Sequence, residues 1–116
     1  MSRDFRTIEI EKILNTKEFE YPQNVAMACA WVAGSFKGEN LKVFDSSQTS
    51  SLADYVVLTS ADNTTQAQAM ASEIMHLLKG HGLPKISIEG SKDSEWKLID
   101  LGDVIVHVFL QASRAV

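Results

Sequence analysis

Gly34-Ser35 followed by Asp45, three histidines (His76, His81, His107) and a single cysteine, Cys29, are the residues of this chain whose types and spacing invite chemistry. Nucleotidyl transfer pairs a Gly-Ser turn with clustered carboxylates that hold divalent ions, and Gly34-Ser35 with Asp45-Ser46-Ser47 comes nearest to that pattern. Ser47 stands where the second carboxylate is needed, and Gly34-Ser35 falls within a run of helical spacing rather than after a strand, so coincidence is the simpler reading. The glycines at 34, 38, 80, 82, 90 and 102 form no phosphate-binding pattern. One cysteine makes no intrachain disulfide and no zinc cluster, and Cys29 reads as a small buried hydrophobe. No catalytic residue, metal or cofactor is expected. His76 and His81 sit near the end of a helical run, where the helix dipole accounts for them. His107 could serve as a general base, but no serine, cysteine or acid is fixed beside it. A structural or interface histidine is the simpler reading.

The element that positions His107 is Trp96 to Leu110, WKLIDLGDVIVHVFL, the densest run of strand formers, which reads as a β-hairpin broken at Asp100-Leu101-Gly102-Asp103. With Leu101 and Gly102 as the loop, Ile99 faces Val104, Leu98 faces Ile105 and Trp96 faces His107. One face then carries Lys97, Ile99, Leu101, Val104, Val106, Val108 and Leu110, and is core. The other carries Trp96, Leu98, Asp100, Asp103, Ile105, His107 and Phe109. In this register Asp100 faces Asp103, a like-charge pair that costs roughly 0.2–1 kcal/mol. Two readings stand: the carboxylates flank a solvated turn, or this face binds something. Trp96 is then the anchor, since tryptophan is enriched among interface hot spots.

The totals fit one ordinary globular domain: 116 residues, 45% apolar and 22% charged. A net charge of −4 argues against general nucleic-acid binding, DNA included, and suits a basic partner. The start lacks the apolar core of a signal peptide, and the longest apolar stretch, Val25 to Phe36, is too short to span a bilayer. A cytoplasmic protein without a membrane partner is expected.

Residues 1–23 form a charged extension with a short helix expected over about Thr7 to Lys17, and 24–116 form the domain. Asn24 is placed to cap a helix that ends at Gly38, after which Leu41 to Phe44 reads as a short strand. Asp54 to Thr59 is an apolar, β-branched strand, followed by caps and a helix over Thr65 to Lys79. Lys85 to Glu89 supplies another strand, so a β-α-β unit with parallel strands is expected. The fold class is mixed α/β: a sheet of about five strands with flanking helices.

DYVVLTSADNTTQAQAMASEI, SIEG and WKLIDLGDVIVHVF, within Leu41 to Leu110, resemble the ribosomal silencing factor, or Iojap-like, family. Asp54-Tyr55, Gln66, Ala69, Glu89-Gly90, Trp96, Asp100, Gly102-Asp103 and His107-Val108-Phe109 carry the resemblance, while Thr65 stands where the family has arginine. The resemblance implies a nucleotidyltransferase-like fold without catalytic carboxylates. It also implies a non-enzymatic repressor that binds the fourteenth protein of the large ribosomal subunit, blocks subunit joining and lowers translation when nutrients are short. The expected partner-binding residues are Trp96, Leu98, Asp100, Asp103, His107 and Tyr55, and a homodimer is a further expectation. The alternative is a nucleotidyltransferase-fold enzyme acting on a nucleotide or RNA.

Overall fold

A computed structural model describes residues 5–49, 51–83, 85–91 and 93–111. The first helix, α1 (Phe5–Asn15), starts and ends two residues ahead of the expected span, and Ile10 on its inner side is buried in the same core as the rest of the chain. The second, α2 (Gln23–Ser35), begins directly after Pro22, whose carbonyl accepts the Val25 and Ala26 N–H groups at 3.1 and 3.2 Å. Asn24 is therefore inside the helix and not its cap; its amide donates to the Leu14 carbonyl at 3.0 Å, tying α2 to the end of α1. Ala26, Ala28, Cys29, Ala30 and Ala33 are all buried, so small side chains let α2 lie close to its neighbours.

The exit from α2 corrects a second expectation. Lys37, at φ 62°, takes the left-handed position, while Gly38 is needed for space. A Cβ on Gly38 would lie 2.4 Å from Thr59 Oγ1 and 2.9 Å from the Ala33 carbonyl. The end of α2 can thus press directly onto the sheet.

Five strands follow: β1 (Glu39–Asp45), β2 (Tyr55–Ala61), β3 (Ser87–Glu89), β4 (Trp96–Asp100) and β5 (Val104–Leu110), with α3 (Thr64–Leu78) after β2. Asn63 caps α3 by accepting the Gln66 N–H at 2.8 Å. The sheet order is β1-β2-β5-β4-β3, with β2 and β5 parallel and every other pair antiparallel. The expected β-α-β unit is thus split: β3 runs in the same direction as β2 but lies at the far edge, with β5 and β4 between them. The sequence of β5, VIVHVFL, is apolar on both sides and suits the sheet centre, whereas KISIE is polar at alternate positions and suits an edge.

The hairpin register also differs from expectation. Trp96 faces Phe109, Leu98 faces His107 and Asp100 faces Ile105. Leu101, buried in the core, stays in the ladder by donating its N–H to the Val104 carbonyl at 2.9 Å, so Gly102 and Asp103 form the turn. Gly102 takes φ 89°, the positive φ that glycine supplies at the first loop position of a tight hairpin. Because the register moves by two residues, the side chains of the two strands keep their predicted faces, while Asp103 moves from its predicted face into the turn. Asp100 no longer faces Asp103, and the expected repulsion across the turn is absent.

Candidate docking face

Helices α2 and α3 cover one side of the sheet, with α1 packed against them, and the core forms there from Val57, Ile99, Leu101, Val104, Val106 and Val108. The alternate residues of the same strands point to the opposite side, which none of the three helices covers. The strand registers arrange that side in rows. One row runs Phe44, Val56, Ile105, Asp100 and Ser87; the next runs Lys42, Leu58, His107, Leu98 and Glu89; a third holds Glu39, Ser60, which is itself fully buried, Phe109 and Trp96. Phe44 is 46% exposed and Trp96 43%, although both are large and apolar. Exposed apolar groups gathered on one face make it a candidate interaction surface.

Four of the six residues singled out from sequence lie together here. Trp96 is at the rim, Leu98 and His107 are paired in the central row, and Asp100 lies one row away. The Asp100 carboxylate accepts the Gly102 N–H at 2.9 Å and pairs with Lys85 Nζ at 3.0 Å. The Gly102 bond, with help from Lys85, holds its pKa below the usual carboxylate value. Asp103 sits in the turn, where the Tyr21 hydroxyl donates to its Oδ2 at 2.8 Å. Burial, and then that bond, push the Tyr21 pKa up to about 12. The Asp103 carbonyl accepts the Asp54 and Tyr55 N–H groups at 2.9 and 3.1 Å, fixing the hairpin tip to the start of β2. Tyr55 is level with Val104 on the helix-covered side and packs against the core, so it is not part of the open face.

Sequence reasoning assigned Ile105 and Phe109 to this face but did not count them as site residues, and it missed Phe44, Val56 and Leu58. The alternation Val56, Leu58, Ser60 in β2 carried the signal, but it acquires meaning only once β2 is known to lie beside β5. Lys97, on the core side, is 1% exposed, and its Nζ donates to the carbonyls of Gly90, at 3.2 Å, and Ser91, shaping the loop that leads into Trp96.

The Gly34-Ser35 and Asp45 pattern does not assemble. Ser35, at the end of α2, donates to the Val32 carbonyl at 2.7 Å and accepts from Arg6 Nε at 2.9 Å. Asp45 closes β1 at the opposite end, where its Oδ1 accepts from the Ser47 N–H and hydroxyl at 3.0 and 2.7 Å. Among the described residues no group of three or more His, Cys, Asp or Glu side chains is placed to hold a metal ion. No helix among them is long and apolar enough to cross a membrane. Cys29 is fully buried, and burial pushes its thiol pKa up.

Comparison with known proteins agrees with this architecture. The family described as ribosomal silencing factor during starvation matches residues 19–116. The chain is 36% identical over 78 residues to the ribosomal silencing factor of Chromobacterium violaceum, covering 67% of this chain and 64% of that protein. It is 34% identical over 79 residues to that of Bacillus subtilis, covering 68% of this chain and 67% of the relative. A crystal structure of a Chromobacterium violaceum protein superposes with a TM-score of 0.72 at 30% identity, covering 78% of this chain and 76% of that one. The chain belongs to the ribosomal silencing factor family.

Proposed function

We propose that the open sheet face docks on the fourteenth protein of the large ribosomal subunit and, by occupying that surface, keeps the small subunit from joining. Translation then falls when nutrients are short, by occupation of a surface in the cytoplasm and without turnover of a substrate. The observation that carries this reading is the uncovered apolar side of the sheet, with Trp96 and Phe44 exposed on it, in a chain of this family. Strands about 4.8 Å apart and rows about 6.8 Å apart give that face roughly 19 Å by 14 Å. Specific interfaces bury about 800 Å² per partner, so the hairpin turn and the β1 edge complete the footprint. The net charge of −4 favours a basic partner.

Sedimentation with purified subunits tests the reading. The protein is expected to travel with the large subunit and not the small one; equal binding to both, or to neither, overturns it. Magnesium-dependent nucleotide turnover that disappears in Asp45→Ala would return the enzyme reading. A second copy on the same face is the competing occupant, and sedimentation of the protein alone distinguishes it.

A further inference from the structure

His107 is the one histidine on the open face, and it occupies the middle strand in the middle row, between Leu58 of β2 and Leu98 of β4. Along β5 its neighbours on that face are Ile105 and Phe109, and its ring stacks on Phe109 with centroids 5.6 Å apart and planes 3° apart. A neutral imidazole has one donor and one acceptor nitrogen, and no described residue hydrogen-bonds either of them. While the face is open the ring is only partly buried, so water can reach it. A partner that covers the face removes that water, and a buried polar atom left unmet weakens the complex about fivefold or more.

The charged groups around it cannot hold an imidazolium. On this face β2 offers only Val56, Leu58 and Ser60, and β5 only Ile105 and Phe109. On β4, Asp100 lies one row away and is already engaged by Lys85 and the Gly102 N–H. Lys42 of β1 and Glu89 of β3 end the row on opposite sides, two strand spacings or about 10 Å from His107, and their charges oppose; Glu39 of β1 lies as many strands away and a row further, where Gln111 donates to its carboxylate. Burial already lowers the pKa of His107, and a covering partner strengthens that effect.

We propose that His107 is the specificity determinant of the docking face: its neutral imidazole hydrogen-bonds an uncharged side chain or backbone group of the ribosomal protein, and protonation releases the partner. The proposal rests on the docking reading above. Its sign follows from linkage: docking disfavours the protonated ring, so affinity falls as pH drops through the histidine range.

The test measures large-subunit affinity at pH 7.5 and 5.5 for the unmutated chain, His107→Gln and His107→Leu, with a melting curve for each. Lowering the pH is expected to cost the unmutated chain about fivefold more affinity than His107→Gln, which cannot titrate. At pH 7.5 His107→Leu is expected to bind about tenfold more weakly than the unmutated chain, with His107→Gln in between because it keeps hydrogen-bonding groups. Leucine binding as tightly as histidine, or glutamine retaining the pH dependence, overturns the proposal while leaving docking intact. In the unmutated chain, NMR titration of His107 is expected to move to lower pH when the isolated ribosomal protein is added; an unchanged titration also overturns it. Failure of the unmutated chain to bind at either pH overturns the docking reading and this proposal together.

Discussion

The two sides of the sheet come from the same strands, yet only one is a core: 10 of its 13 paired residues are apolar, against 7 of 14 on the open side. On the covered side β5 presents Val104, Val106 and Val108, each fully buried. On the open side the intervening residues are Ile105, His107 and Phe109, all partly exposed. Short β-branched side chains suit a surface onto which helices press closely, whereas larger and aromatic ones reach outward. The higher apolar share and the short β-branched side chains mark the side that the helices cover, while the larger groups of the other side sit among charged residues.

The comparison breaks most visibly if the sides respond alike to truncation. Ile74→Ala, in α3 beneath the covered side, is expected to cost about 2–5 kcal/mol of stability in urea unfolding, the usual cost of a cavity in a packed core. Trp96→Ala is expected to cost about 2 kcal/mol or more in large-subunit affinity, as truncated interface anchors do, with a stability loss well below that of Ile74→Ala. A Trp96→Ala protein that melts as early as Ile74→Ala but docks normally would make the open side a second core.

Smaller effects sharpen the contrast. Gly38→Ala forces a methyl group against Thr59 Oγ1 and the Ala33 carbonyl, and is expected to destabilise by about 1–3 kcal/mol through overpacking. Thermal melting checks it, and large-subunit affinity measured below the transition should be unchanged. Asp100→Asn keeps an acceptor for the Gly102 N–H but loses the charge facing Lys85. Its effect on stability should stay below about 1 kcal/mol because the pair is solvent-accessible. Since the folded pKa of Asp100 is lowered, its contribution is present above the unfolded carboxylate value and is lost as pH falls through the folded one. Urea unfolding of both proteins at neutral and acidic pH should therefore converge in acid. Its effect on docking should shrink with added salt.

Much of this architecture was legible in the sequence, for physical reasons. The faces of the hairpin followed from the period of two, which survived a register error because the error was itself two residues. Helix α3 was legible from the run of cap residues Ser60 to Thr64 and its apolar spacing, and the structure singles out Asn63 as the cap. Strand order was not, because whether β3 or β5 lies beside β2 depends on which strand can bury both sides, a long-range choice that local pattern does not encode. Gly38 was read as a helix stop because glycine commonly takes a left-handed conformation; only the approach of Thr59 shows that the lacking methyl group matters more. The open face was legible where one hairpin carries it, at Trp96, Leu98, Asp100 and His107. It was invisible where β1 and β2 contribute Phe44, Val56 and Leu58. Tyr55 was marked by the resemblance alone, and the sheet places it on the helix-covered side, away from the open face.

The position of β5 has a further consequence, for synthesis. It is the last of the five strands in the chain and the middle one in space, so β1–β2 and β3–β4 have no strand pairing to each other until it is inserted. Such non-local closure is slow relative to local pairing, and during translation it must await residues 104–110. The rows of the open face run through β5, so a growing chain has no docking surface until its sheet is complete. On the docking reading proposed above, the protein is thereby kept from engaging the ribosome that is making it.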